Sequence, residues 1–186
     1  MNKLLIIISL TFLFGCAPKV YNSVTSNKVE GYDFKSDKIF VLIYEDEKSS
    51  KIIREIGNSV VKSLDSVEVE NTLLVKEVDG LSFESQFPAK EVQEYKPDTI
   101  LILGLNEGSF TGTTVHAYKM FATLVDPIEG RVVWKAELSR GYSKDGSVVG
   151  FNQHMENKLG NLSANLVKQM NKDELLDANF QNLIYY

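Results

Sequence analysis

Three carboxylates in a row, Glu45-Asp46-Glu47, follow the apolar run Ile39 to Tyr44. That run reads as a strand, and ligands of open α/β sheets bind beyond the carboxyl ends of strands. With Asp98 or Asp126 nearby, the three could hold Ca²⁺ or Mg²⁺, which take oxygen ligands. They lack the regular acidic spacing of calcium loops, and negative charge before a helix N-terminus is favourable without any ion. The expectation is a solvated acidic loop, with divalent-metal or small-ligand binding at Glu45, Asp46 and Glu47 as the alternative. His116 and His154 have no ligand-spaced partner, so no zinc pattern exists. No Gly-x-Ser-x-Gly elbow occurs, and Gly104-Leu105-Asn106-Glu107-Gly108 has the wrong spacing for a phosphate cradle and no following lysine. No catalytic constellation is present, so the expectation is a protein that is not an enzyme and carries no cofactor.

The remaining reactive side chain is Cys16, the single cysteine. Before it come Lys3, an apolar stretch from Leu4 to Phe14, and the small residue Gly15. A basic start, an apolar core and a small residue at the cut make a secretory signal. Eleven residues are too few for a bilayer span, which needs about 20. Leu13-Phe14-Gly15-Cys16 resembles a bacterial lipobox, which implies that Cys16 is acylated and becomes the first residue of the mature chain. One acyl chain anchors only marginally, whereas the several chains of a bacterial lipoprotein hold permanently. Ala17, in place of Asp, implies the outer membrane, and the absence of an acidic run after Cys16 implies its periplasmic face.

Removal of residues 1–15 leaves 171 of the 186 residues, with 19 basic against 25 acidic side chains, a net charge of −6. That is one ordinary domain with a tether. No basic block exists, which argues against nucleic acid as a partner. A net negative body is mildly repelled by anionic lipid, so attachment falls to the lipid anchor. No cysteine follows position 16, so stability must come from packing, which a chain of this size can supply.

The elements are read in order. Residues 16–37 are polar and rich in Ser, Asn and Lys, and predict a flexible tether with a reach of about 25 Å. The globular domain is expected over 38–186. Ile39–Tyr44 predicts a strand buried on both faces. Ile52, Ile53, Ile56, Val60, Val61 and Leu64 form one stripe of a helix capped by Ser49 or Ser50. Val67–Val78 predicts a strand, and Pro88 opens a short helix to Tyr95. Thr99–Leu105 is a central strand, followed by a turn or loose hairpin tip over Asn106–Thr114. Val115–Val125 and Arg131–Tyr142 are strands joined by a turn at Asp126-Pro127-Ile128-Glu129-Gly130, where Pro and Gly suit a β-turn. In the second, Val132, Trp134, Ala136 and Leu138 are expected to point inward. Asn152 caps a helix bearing Met155, Leu159, Leu162, Leu166, Val167 and Met170, and the tail from Asp173 suggests a further helical turn or two. The fold class is α/β (α+β). It is one mixed twisted sheet of about five strands, order β-α-β-α-β-β-β-α, with two long helices on one face.

With that order, the phrase from Phe121 to Leu138 (FATLVDPIEGRVVWKAEL) resembles a hairpin recurring in small α/β envelope lipoproteins. These include outer-membrane activators of peptidoglycan synthases and curli-secretion-type lipoproteins, whose bodies are similar to the amino-terminal domain of the Tol-system β-propeller protein. The resemblance covers roughly residues 38–170, mostly as element order, and transfers no site residue. It implies an envelope partner, protein or peptidoglycan, with the oligomeric state open. Candidate contacts are Phe110 in its glycine-bounded tip and Phe151 after Gly150. Trp134 reads as core under a helix, with an interface anchor as its alternative.

Overall fold

The computed structural model describes residues 21–45, 50–77, 88–111, 114–142 and 156–180. Among them, six strands form one sheet in the order β1-β6-β5-β4-β2-β3. The strands are β1 (Tyr21–Lys28), β2 (Lys38–Glu45), β3 (Glu70–Glu77), β4 (Thr99–Thr111), β5 (Thr114–Asp126) and β6 (Arg131–Tyr142). The helices are α1 (Ser50–Asp65), α2 (Ala89–Tyr95) and α3 (Glu156–Lys172). β2 pairs in parallel with β3 and β4, while the other neighbours are antiparallel, so the sheet is mixed as expected.

β2 is apolar throughout because both its faces are covered. Ile39, Val41 and Ile43 meet the long helices, together with Ile53, Ile56 and Val60 of α1 and Leu162, Leu166, Val167 and Met170 of α3. Phe40 and Leu42 face the other way, against Val92 of short α2 and Ile100 of β4. The two long helices thus share one face of the sheet. Gly57 lets α1 lie close to β2: a Cβ there would sit 2.0 Å from Ile43 Cδ1. Overpacking a core costs about 1–3 kcal/mol, against up to about 1 kcal/mol gained from replacing a helical glycine. Gly57→Ala is therefore expected to lower stability by about 1 kcal/mol net. A urea midpoint at or above that of the parent would contradict this packing.

The largest departure from expectation is β1. Residues 21–28 are not tether but an edge strand, paired with β6 from Tyr21↔Tyr142 to Lys28↔Trp134. The folded body therefore includes residues from Tyr21 on, not only from residue 38, and among the described residues the sheet has six strands, not about five. Among the described side chains of β1, Val24 is the one apolar group packed against the core, so the hydrophobic pattern gives the strand no signal. Its fastening is polar. Ser26 Oγ donates to Asp173 Oδ2 (2.6 Å), and Gln169 Nε2 donates to both Ser26 Oγ (2.9 Å) and Asp173 Oδ1 (3.0 Å).

Three local readings also change. The predicted loose tip at Asn106–Thr114 is largely strand, since β4 runs to Thr111 and β5 starts at Thr114. In β6 a register shift between Leu124 and Val125 turns Val133 inward and leaves Val132 38% exposed. After α3, residues 173–179 do not continue as helix. Asp177 N–H donates to the Ser36 carbonyl and Ser36 N–H to that of Leu175, which seats Leu175 and Leu176 in the core. Residues 46–49, 78–87, 143–155 and 181–186 lie outside the described residues.

Three tyrosines are packed into this frame. Burial pushes the phenols of Tyr32, Tyr95 and Tyr118 up to about 12. The Asp126 and Glu129 carboxylates add to the effect at Tyr32, and Glu70 at Tyr95. In the unfolded chain a tyrosine ionises near 10.0. Between that pH and about 12 the unfolded state releases protons that the folded state keeps. The tyrosine contribution to stability is therefore complete below pH 10.0 and declines as pH rises through this window. Urea midpoints are expected to fall between about pH 9 and about pH 11, with the phenolate absorbance of these three tyrosines, read as the difference between the parent and each Tyr→Phe variant, appearing only as the fold is lost. A difference that titrates near the ordinary tyrosine value in the folded protein would contradict the burial of that ring.

Candidate functional site

Of the carboxylates that could have held a cation, the described ones, Glu45, Asp98 and Asp126, are engaged in structural bonds. Glu45 ends β2 instead of opening a loop, and its side chain is almost fully buried. Arg54 of α1 clamps it with two parallel hydrogen bonds: Nε donates to Oε2 (2.6 Å) and Nη2 to Oε1. That carboxylate pins α1 to the top of β2, and it also raises the guanidinium pKa, with hydrogen bonding as the larger cause. Asp98 accepts the backbone N–H groups of Asp37 and Lys38 (3.1 and 3.0 Å). Asp126 accepts those of Ile128 and Glu129 (2.8 and 3.0 Å), closing the β5–β6 turn as an Asx residue does. Among the described residues, no group of three His, Cys, Asp or Glu could hold a metal ion. Asp46 and Glu47 lie outside the described residues.

Trp134 is not a surface anchor. It is 1% exposed, and its Nε1–H donates to Asp173 Oδ2 (2.7 Å). The indole stands at the meeting point of β6, β1 and α3, and Asp173 takes hydrogen bonds from all three. Phe110 lies in β4 with its backbone paired to Val115, and its side chain is outside the described residues. Phe151, His154 and Cys16 are outside them altogether. Of the expected contact residues, Trp134 is therefore the one whose side chain is described, and it lies in the core.

The structure shows two surfaces that the sequence did not single out. On the side away from α1 and α3, the β1–β6–β5 part of the sheet carries no helix among the described residues. Thr25, Asn27, Phe121, Thr123, Lys135 and Glu137 line an open groove of about 520 Å³ there. Phe121, 40% exposed, folds across Gly104 of the neighbouring strand: a Cβ at Gly104 would lie 2.1 Å from its ring. The glycine thus makes the shelf on which an outward aromatic ring rests. The second surface is the end of the sheet where β5 turns into β6. Ile128 at that turn is 93% exposed, and Val29, Phe34 and Val132 are partly exposed in the same region. Alternation in β5 and β6 gave a signal for the first surface, since Phe121 falls on the polar side of its strand. For the second, the apolar Ile128 inside a turn sequence was the available sign.

The ends of the sheet are also distinct. β1 starts at the same end as the β4–β5 hairpin, because Tyr21 pairs with Tyr142 and β6 runs antiparallel to β5. The β5–β6 turn with Ile128 lies at the opposite end.

No family model matches the sequence, and no curated protein matches it. Among solved structures, the fold is similar to that of a PelC dodecamer from Paraburkholderia phytofirmans, with 14% identity and a TM-score of 0.54 over 79% of this chain and 95% of that one. A single-residue variant of that PelC dodecamer aligns with a TM-score of 0.50 at the same identity and coverage. At this identity the likeness establishes a shared fold.

Proposed function

We propose that this chain is a lipid-anchored component of a bacterial cell envelope, acylated at Cys16 and held at the outer membrane on its periplasmic side. Its sheet domain serves as a binding or assembly module for another envelope component, protein or peptidoglycan. The observation that carries the reading is the placement of Leu13-Phe14-Gly15-Cys16, behind a basic start and a short apolar core, just before the first strand. The resemblance of the Phe121–Leu138 hairpin to small envelope lipoproteins supports it. So does the fold shared with PelC, a protein that assembles as a dodecamer. A module that works by association needs surface more than buried chemistry, and Glu45, Asp98 and Asp126 are all committed to structural bonds.

The test is expression with the native leader, detergent extraction of membranes, and cross-linking followed by sedimentation. The expected result is a membrane-extracted species larger than one chain, with cross-links to copies of itself or to an envelope partner. A chain that sediments as a monomer and cross-links to nothing at high concentration would refute the assembly role.

A further inference from the structure

We propose that the end of the sheet formed by the start of β1 and the β4–β5 hairpin faces the lipid head groups at close range, while the Ile128 end points away from the membrane. This deepens the anchoring reading and rests on acylation of Cys16.

Chain length limits how far the body can stand from its anchor. Had residues 16–37 formed a tether, the body could stand off the bilayer in any orientation. β1 removes that freedom, because Tyr21 already belongs to a strand of the sheet. Four residues separate it from Cys16. Whatever conformation they take, five Cα steps span at most about 17 Å. An acylated Cys16 must sit at the membrane surface, so Tyr21 stays within about that distance of it. β1 cannot easily peel away to lengthen the reach. It is laddered to β6 over its whole length and tied to α3 through Ser26, Gln169 and Asp173.

Register then carries the constraint across the sheet. Tyr21 pairs with Tyr142, and Arg140, two residues earlier in β6, pairs with Tyr118. Tyr118 pairs with Gly108, and the next pairs are Ser109↔Ala117 and Phe110↔Val115. Tyr21 is therefore level with the last rungs of the hairpin. Three interstrand steps separate β1 from β4, about 14 Å. The hairpin end is thus held beside the anchor at a similar height. The β5–β6 turn lies eleven residues further along β5 from Val115, about 36 Å deeper.

Charge agrees with this placement. The mature chain is net negative, yet Gly108–Thr111 and Thr114–Tyr118 contain no Asp, Glu, Lys or Arg. An uncharged end can approach anionic head groups without the repulsion that the rest of the body meets. It leaves Ile128, Phe34 and the outer sheet groove free for partners on the far side.

The experiment uses Cys16 for the lipid and adds one labelled cysteine at a time, at Thr111, Asn106 or Ile128. Each acylated, nitroxide-quenchable fluorophore conjugate is placed in vesicles of phosphatidylethanolamine and phosphatidylglycerol containing head-group spin-labelled lipid. The expected quenching is severalfold stronger for Thr111→Cys than for Ile128→Cys, with Asn106→Cys between them. A long Gly/Ser insertion between Ala17 and Tyr21 should abolish the gradient, and thermal melts matching the parent show that each variant is folded. Equal quenching at the three sites, or stronger quenching at Ile128, in a protein whose mass shows the acyl chains would overturn the orientation alone. A mass without acyl chains would overturn the anchoring reading and this inference with it.

Discussion

Cys16→Ser is expected to move the protein from the membrane fraction to the soluble fraction, with no intermediate partitioning. Membrane attachment by acyl chains scales at about 0.8 kcal/mol per buried CH₂, so loss of all chains removes essentially the whole affinity. Nothing else in the mature chain compensates. Its charge is −6, it has no basic patch, and the sequence between Cys16 and Tyr21 contains one lysine. No helix among the described residues is long and apolar enough to cross a membrane. The variant is expressed behind a secretory leader that is cleaved without lipidation, because an uncut leader with the apolar run Leu4–Phe14 would itself hold the chain at the membrane. Fractionation and the mass of the recovered protein check both points. A serine variant that stays with membranes after a salt wash would contradict the anchoring account.

Trp134→Ala is expected to be the most damaging single change in the body. Removing a buried tryptophan costs about 3–5 kcal/mol through lost burial and the cavity left behind. That is a large part of a total stability of about 5–15 kcal/mol. The indole N–H is worth a separate test, because Asp173 Oδ2 accepts both it and Ser26 Oγ. Trp134→Phe keeps much of the volume and leaves that carboxylate short of one donor, at a cost of about 1–3 kcal/mol. Asp173→Ala should cost a similar amount and additionally loosen β1, seen as faster amide exchange over Tyr21–Lys28 than over β5. The double variant should be less destabilised than the sum of the two, since both remove the same bond. Strict additivity, or unchanged exchange in β1, would show that the Asp173 junction does not hold the edge strand.

What the sequence made legible follows the hydrophobic signal. β2 and β4 announce themselves as apolar runs because the fold buries them on both faces, and α1 because Ile52, Ile53, Ile56, Val60 and Leu64 share one stripe. The Asp126–Gly130 turn was readable from its residue types, and Gly130 does take a left-handed conformation with φ 64°. β1 was not readable. Its described inward positions are Val24, Ser26 and Lys28, one apolar and two polar, and its stability comes from ladder hydrogen bonds and a carboxylate nearly 150 residues away in sequence. A local contact hid the role of Glu45. A carboxylate followed by two more reads as a wet loop, and only the turn of the chain into α1 brings Arg54 back into a bidentate clamp on it. The bulge that exchanges Val132 for Val133 is likewise a product of register, which alternation alone does not encode. Of the contact candidates, Trp134 went to the core, where a large ring on an alternating strand belongs, and the side chains of Phe110 and Phe151 lie outside the described residues. Phe121 and Ile128, which the sequence did not single out, are exposed.

The account stands on a fatty anchor placed a few residues ahead of a folded edge strand, and the most direct measurement is the intact mass of the mature amino-terminal peptide recovered from membranes. The predicted result is a peptide beginning at Cys16 and carrying a diacylglyceryl thioether and an amide-linked acyl chain. A peptide that begins upstream of Cys16, or one with an unmodified thiol at that position, would contradict it.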